Sequence, residues 1–504
     1  MITRKNALEI ALENQEGLTF DDVLLRTGYA KLHPNKVNIE TMFSTNVPLK
    51  IPLVSAAMDT VTEYKLAAKI AELGGLGIIH KNLTPEFQAT QVREVKRRLN
   101  GLIPNPKHFT EGDTMQYVAT KINEEGLTFH TFPIMTKDLK ILGILTEDSF
   151  EFCDDYSMKV EDAGETDFVS EPEGTTIKQA YELMKRGKFK ALPLHTPNQE
   201  LAGLYVWSDV KRIETGESAR YNTDNNQQLR VGAAIGVGDE ASERAELLVR
   251  SGVDVLVIDT AHADSDQVID TLKEIKRQYS VDVVVGNTST PTSFRRFKDF
   301  GADGIKIGQG PGSICTTRTV SGAGGAQITA IYECAKAARR YNLLICADGG
   351  LAQPGDITKA IAAGADSVMM GSMLAGTEEA PGEKVFVQGR TWKNYRGMGS
   401  LGAMQQHQGS RQRYNQEEAS LQKLVPEGVE GRVPFKGDLA LVINQYIGGL
   451  RAGMGYVGAD NIGQLQRKSQ FTRLGAAAQR ESHPHNITIT SEAPNYTIPG
   501  EALR

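Results

Sequence analysis

Val231-Gly-Ala-Ala-Ile235, Val255-Leu-Val-Ile-Asp259, Asp282-Val-Val-Val285, Gly304-Ile-Lys-Ile307, Leu343-Leu-Ile-Cys-Ala347 and Ser367-Val-Met-Met370 follow one another through the middle of the chain. Each run is short and rich in apolar, mostly branched residues. Two earlier runs, Ile51–Ala56 and Gly75–Ile79, have the same character. Buried parallel strands read this way, because both of their faces are covered and no polar alternation survives. Amphipathic stretches lie between the runs, among them Glu240–Arg250, Asp266–Gln278 and Ile328–Arg340. Eight alternating strand–helix units specify a closed (β/α)8 TIM barrel. The alternative is an open doubly wound sheet, which usually has fewer strands.

The spacing breaks once. Residues 80–230 separate the second run from the third, where one barrel unit needs roughly 30 residues. This interval carries an internal repeat: Pro133-Ile-Met-Thr136 with Gly143-Ile-Leu-Thr146 recurs as Pro193-Leu-His-Thr196 with Gly203-Leu-Tyr-Val206. Each copy follows a helical stretch and closes a strand pair. The repeat is therefore expected to form its own domain over about 95–225, inserted in a barrel loop, with 1–94 and 226–504 forming the barrel. A second long connection, about 373–437, follows the eighth run. It is polar and glycine-rich and contains Gln405-Gln-His-Gln-Gly-Ser410. Loops of this length act as lids or binding loops, and this one belongs on the C-terminal face of the barrel, where active sites are built.

Composition excludes several function classes. A 504-residue chain with 40% hydrophobic residues can bury a large core and reads as two domains. A net charge of -6 leaves no electrostatic footprint for nucleic acid or an anionic membrane. Lys96-Arg-Arg98 reads as a solvated helix end. No apolar run reaches the ~18 residues of a membrane span. Met1-Ile-Thr-Arg-Lys-Asn6 lacks the apolar stretch of a secretory signal. The four cysteines are scattered without CxxC spacing, which argues against a disulfide framework or a zinc site and for a reducing cytosol.

The chemistry concentrates after the sixth run, in Gly308-Gln-Gly-Pro-Gly-Ser-Ile-Cys-Thr-Thr-Arg318. Its glycines let backbone approach a ligand and turn amides or carbonyls toward one point. The run starts like a dinucleotide fingerprint, but Ser313 is not followed by glycine and no helix is expected before about Gly325. A cysteine in such a loop is partly exposed, with its thiolate favoured by nearby backbone dipoles, so Cys315 reads as a nucleophile. Cys153, Cys334 and Cys346 read as small buried residues. Two further glycine turns, Asp348-Gly349-Gly350 and Gly371-Ser372, end the seventh and eighth runs, the usual phosphate position of this fold. Backbone amides there, with Ser313, Ser372 and Tyr395, suit a monophosphate. Asp348, acceptor-only, suits ribose hydroxyls. Plain turn chemistry would account for either glycine pair alone.

These residues carry a resemblance. The chain resembles the IMP dehydrogenase family and, more distantly, its sister family GMP reductase, over nearly its whole length. The matching stretches are Gly17–Leu25, Ile51–Thr60, Gly310–Arg318, Ala347–Gly350, Met370–Glu379, Tyr395–Met404 and Lys423–Arg432. The inserted repeat resembles the family's tandem CBS (Bateman) pair. The resemblance implies NAD-dependent oxidation of IMP to XMP, in guanine nucleotide biosynthesis, through a covalent thioimidate on Cys315. It places Gly349, Gly350, Gly371, Gly397, Met398, Gly399 and Glu427 at the nucleotide, and Asp259, Asn287, Gly308 and Gly310 on the cofactor side. It implies potassium held by carbonyls of Gly310, Gly312 and Cys315, with Glu481, Ser482 and His483 of a neighbouring subunit. Tetramers or octamers in the cytoplasm are the implied assembly and location. Without the resemblance, Asp259 and Asn287 read first as helix caps in short loops.

Dehydrogenase and reductase differ in how water is handled. The dehydrogenases use a mobile flap with an Arg-Tyr pair, and Arg413-Tyr414 stands at that place. Arginine is almost always protonated, so its use as a base needs a special environment; Thr317 with Glu427 is the other route. The reductases carry a glutamate in the stretch matching Gly397–Met404, paired with the threonine two after the cysteine. Here that stretch has Leu401 and no acid. Reductive deamination of GMP with NADPH is the second reading, and a non-catalytic nucleotide sensor the third. The CBS-like copies each keep one of two expected nucleotide-binding elements: Thr146 with Ser149, and Val206 with Asp209. Adenine or guanine nucleotide binding and a structural spacer both remain open. Gln309, where the family has an aliphatic residue, and Thr288-Ser289-Thr290 depart from the pattern beside the expected nicotinamide pocket, leaving NAD against NADP open.

Overall fold

The structure is a computed structural model that describes residues 5–125, 127, 129–414, 416, 419–491 and 493–496. Met1–Arg4, part of the N-terminal stretch read above, lie outside the described residues. The chain divides into two compact units. One comprises residues 1–96, 220–224 and 229–504, and the other residues 97–219 and 225–228.

The first unit is built on a closed barrel of eight parallel strands: β1 (Leu53–Ser55), β2 (Leu76–Ile79), β3 (Val231–Ile235), β4 (Val255–Asp259), β5 (Asp282–Thr288), β6 (Gly304–Ile307), β7 (Leu344–Asp348) and β8 (Ser367–Met370). Neighbours in the chain are neighbours in the barrel. β2 pairs with β3 across the long insertion, Gly77 opposite Val231, and β8 closes on β1, Met370 opposite Ser55. The apolar runs therefore become strands because each is buried on both faces. Val54, Ile78, Ala234, Val257, Val284 and Met369 meet in one core cluster. A hairpin of Thr41–Ser44 and Val47–Leu49 adds Phe43 and Val47 to that cluster. It is tied to the start of β5 by Asp282, which accepts from the Ser44 hydroxyl at 2.6 Å and the Asn46 N–H at 2.7 Å.

The expected helices form as Asp239–Arg250, Asp266–Gln278 and Gln327–Tyr341. Three local expectations are corrected. A one-turn helix, Thr317–Ser321, opens directly after Cys315 rather than near Gly325. Its threonine-rich sequence has low helix propensity, and it stops at once on Gly322, at φ +71°. Asp259 and Asn287 are not helix caps, because both lie within strands; the next two helices start after Ser265 and Ser293. Cys153 is half-exposed rather than buried, whereas Cys334 and Cys346 are buried. Burial pushes the Cys346 thiol up to about 12.

The second unit holds both copies of the repeat. In each, a helix (Met115–Glu125; Ile177–Gly187) precedes an antiparallel pair (Phe132–Met135 with Ile141–Leu145; Ala191–His195 with Leu201–Val206). A short strand joins each pair in parallel: Phe109–Thr110 in the first copy and Glu171–Pro172 in the second. Each copy covers its own apolar cluster, around Phe132 and Ile134 in one and Leu192 and Leu194 in the other. Thr146 caps the helix Glu147–Glu151 together with Ser149. Asp209 is buried and accepts the Asn100 N–H at 3.0 Å; burial pushes its carboxyl up to about 6. Among the described residues no helix is long and apolar enough to cross a membrane.

Candidate active site

The strands' C-terminal ends open into a cavity of about 140 Å³. The Cys315 loop forms one wall. Gly308 is required there because a Cβ would stand 2.0 Å from the Asp348 carbonyl oxygen. Cys315 closes a tight turn by donating its N–H to the Gly312 carbonyl at 3.0 Å. The thiol then lies 3.1 Å from the Thr317 hydroxyl oxygen, on the first turn of the short helix. The loop is zipped to the returning arm of the 373–437 connection: Thr316 N–H donates to the Glu427 carbonyl at 2.9 Å, and Val429 N–H to the Ile314 carbonyl at 2.9 Å. This pairing brings Glu427 into the cavity wall beside Cys315 and Thr317.

The glycine turn after β7 packs against the Cys315 loop, where a Cβ on Gly349 would stand 3.1 Å from Pro311 Cγ. Gly349 and Gly350 have φ of +88° and +79°, backbone that favours glycine. The Tyr395 hydroxyl lies 3.9 Å from Met58 Sδ. Burial pushes its pKa up, and nearby Ser313 and Ser372 work against that rise. A Cβ on Gly371 would stand 2.8 Å from the same phenolic oxygen. Ser313, Gly371, Ser372 and Tyr395 line the cavity together, beyond the ends of β6 and β8.

The floor carries a group that the sequence reading passed over. Lys306, in the middle of β6, is buried and its ammonium reaches Asp259 at 2.8 Å and Asp348 at 2.7 Å. One charged residue inside Gly304-Ile-Lys-Ile307 was the available signal. A buried ammonium is tolerated only with opposite charges in contact, and the topology supplies one from β4 and one from β7. Asn287, on β5, donates to the same Asp348 oxygen at 2.9 Å and to the Gly308 carbonyl at 2.7 Å. Among the described residues its own side-chain oxygen is buried without a hydrogen-bond partner.

The long connection lies over this floor. Arg413 forms an ion pair with Asp259, and its carbonyl accepts the Ala261 N–H at 3.1 Å. Lys306 and Arg413 together balance the charges of Asp259 and Asp348. Tyr414 covers Gly399 so closely that a Cβ there would stand 2.6 Å from its ring. Burial raises the Tyr414 pKa, and neighbouring Arg413 works against that rise. Further back, Asp59 binds Arg396 at 2.9 Å and Asn82 at 2.8 Å, while Asn82 also donates to Ser410 at 2.9 Å. Gly397 and Met398 line the cavity, together with Gly310 and Gly312. Glu481, Ser482 and His483, at the end of the helix Ala476–Glu481, do not line it within one chain.

Comparison with known proteins decides the family. A family model described as IMP dehydrogenase / GMP reductase domain matches residues 17–485. The chain belongs to the IMP dehydrogenase/GMP reductase family. It is 46% identical over 499 residues to the inosine-5'-monophosphate dehydrogenase of Aquifex aeolicus, covering 97% of this chain and 100% of that one. The corresponding Halalkalibacterium halodurans protein is 47% identical over 490 residues, covering 96% and 99%. Among solved structures, a cysteine-to-alanine variant of GMP reductase from Trypanosoma brucei in complex with guanosine 5'-monophosphate superimposes with a TM-score of 0.84. It shares 38% identity, with 94% of this chain and 98% of that chain covered. The barrel fold of the family is the barrel described above.

Two groups implied by the family can be tested against these residues. Among the described residues the buried Asn287 oxygen has no partner, and as an acceptor it fits the donors of a nicotinamide carboxamide. For a cation, Gly310 holds its backbone at φ +80°, with the Arg318 side chain packed against its Cα. Among the described residues no group of three or more His, Cys, Asp or Glu could hold a metal. Neutral carbonyl donors at Gly310, Gly312 and Cys315 suit a weakly charged, hard cation such as potassium.

Proposed function

We propose that this protein is an NAD-dependent IMP dehydrogenase, an oxidoreductase that converts IMP to XMP in guanine nucleotide biosynthesis. The observation that carries the reading is the Cys315 thiol beside Thr317, facing a cavity closed by Arg413 and Tyr414, in a chain about 46% identical to named dehydrogenases. Bonds and electrons balance as follows. The Cys315 thiolate adds to C2 of the purine, the C2 hydride departs, and a thioimidate remains; water then adds at C2 and the thiolate leaves as XMP forms. NAD, when bound, supplies the hydride acceptor.

The chain's own residues divide the remaining work. Gly349, Gly350, Gly371, Ser313, Ser372 and Tyr395 bind the phosphate. Asp348, held by Lys306 and Asn287, takes the ribose hydroxyls, and Gly397, Met398, Gly399 and Glu427 surround the base. Asp259, Asn287, Gly308 and Gly310 form the cofactor side. Asp259 is engaged by Arg413 here, so one carboxylate serves cofactor and flap in turn. Arg413-Tyr414, or Thr317 with Glu427, handles the proton of the attacking water. Potassium at Gly310, Gly312 and Cys315, completed by Glu481, Ser482 and His483 of a neighbouring copy, would require the homotetramer or octamer implied by the family. The second unit is read as a CBS pair, with adenine or guanine nucleotides as its ligands, in a cytoplasmic enzyme.

The second reading, NADPH-dependent reduction of GMP, is favoured by the structural likeness to the trypanosomal GMP reductase. Cofactor absorbance separates the two. Purified protein with potassium should form reduced cofactor from IMP and NAD and leave NADPH untouched with GMP. The reverse outcome makes it a reductase with a dehydrogenase-like flap, and silence in both favours a sensor.

A further inference from the structure

The two departures from the family pattern beside the cofactor half, Gln309 and the Thr288-Ser289-Thr290 run, meet in space. Ser289 donates its hydroxyl to Gln309 Oε1 at 2.7 Å. Gln309 Nε2 lies 3.1 Å from the Ala261 carbonyl oxygen and 2.9 Å from His262 Nδ1. The cluster joins the loops after β4, β5 and β6, and it adjoins the residue whose N–H the flap carbonyl of Arg413 engages. Its backbone is fitted to it: a Cβ on Gly325 would stand 2.7 Å from Ser289 Cβ, and Arg318 Nε donates to the Gln309 carbonyl at 3.2 Å.

Donor and acceptor roles follow from one unambiguous member. A carbonyl oxygen can only accept, so the Gln309 atom facing Ala261 is the amide nitrogen. Its second hydrogen then points at His262 Nδ1, which must accept. A neutral imidazole that accepts through Nδ1 carries its proton on Nε2. His262 is exposed, and its Nε2 makes no hydrogen bond among the described residues. An aliphatic residue at 309 would leave the ring free to exchange tautomers.

We propose that Gln309 is a positioning residue for the dinucleotide cofactor: with Ser289 it locks His262, whose neighbours Ala261 and Gln309 line the cavity, as the Nε2–H tautomer, which presents one fixed donor to an oxygen acceptor of the cofactor. This rests on the dehydrogenase reading above, and the test separates the two.

The full-length protein labelled with ¹⁵N-histidine is examined by NMR, with His262 assigned by the signal lost in His262→Gln. Wild type should show a protonated Nε2 and an unprotonated Nδ1 at this ring. Gln309→Met should show averaged tautomers. Gln309→Glu, which offers only acceptors, should invert the ring to Nδ1–H. In steady-state assays Gln309→Met, which leaves about half of the rings competent, should raise KM for NAD about twofold; Gln309→Glu, which removes the Nε2 donor, should raise it about five- to tenfold, with KM for IMP and kcat within about twofold. An unchanged ring pattern in both variants overturns the lock. A changed pattern with unmoved KM for NAD overturns the cofactor role. A wild-type protein that turns over no IMP would sink the dehydrogenase reading while the NMR result stands on its own.

Discussion

The two ends of the barrel use aspartate in opposite ways. At the N-terminal end the chain repeats a motif, Gly252-Val-Asp254, Gly301-Ala-Asp303 and Gly364-Ala-Asp366. In each, the aspartate just before or at the start of one strand accepts a backbone N–H from the preceding strand: Val231 at 2.8 Å, Val283 at 2.9 Å and Ile345 at 2.8 Å. At the C-terminal end, Asp259 and Asp348 are held by the side chains of Lys306, Asn287 and Arg413. A backbone partner is part of the ladder and cannot leave without unfolding. A side-chain partner can swing away and be replaced by a ligand. The lower aspartates staple the barrel, and the upper ones keep a site whose partners can be exchanged, which matches the division of stability and chemistry between the faces of this fold.

The comparison can be broken in a graded series. Cys315→Ala should give the largest effect, a loss of turnover of roughly 10³-fold or more, with the melting temperature unmoved; a comparable fall in stability would mean that the loop is structural. Lys306→Met should come next. It takes the ammonium from buried Asp259 and half-buried Asp348, leaving them Arg413 and Asn287, and should cost roughly 3 kcal/mol, read by denaturant unfolding, with turnover falling in the fraction that stays folded. Asp303→Ala, at the other end, removes the partner of the Val283 N–H and of Lys276 and should cost roughly 2–3 kcal/mol, with kcat/KM for IMP unchanged. Equal losses of activity in these two variants would erase the contrast between the faces.

The smallest effect concerns pH. Burial pushes the Asp366 carboxyl up to about 6, well above the ordinary carboxylate range. A raised carboxyl pKa contributes stability that is complete below the unfolded value and is lost as pH rises through the folded one. Asp366→Asn removes that loss, so relative to wild type it should gain on the order of 1–2 kcal/mol between pH 4 and pH 8, followed by melting temperature across that range. A gain in the opposite direction would mean that the carboxylate is stabilised as the anion by its Ile345 N–H.

The barrel was legible because its strands are buried on both faces, which leaves uninterrupted apolar runs that need no partner to be recognised. The glycine loop around Cys315 was legible for a similar reason, since its conformation is local. Lys306 was not, because a lone lysine in an apolar run gains meaning only when β4 and β7 bring their aspartates to it. Asp259 and Asn287 look like caps in one dimension but line the cavity, Asp259 as the last residue of β4 and Asn287 because β5 runs three residues beyond its apolar run. The Gln309 cluster joins three loops far apart in sequence, so the chain could mark its members as unusual but not as neighbours.

The most direct test of the central claim is to quench the protein in acid during turnover of IMP and NAD and locate any nucleotide adduct by peptide mass spectrometry. The account predicts a purine nucleotide covalently attached to the peptide containing Cys315, absent when NAD is omitted and absent in Cys315→Ala. Turnover with no adduct on that peptide, or an adduct on Cys153 instead, would contradict it.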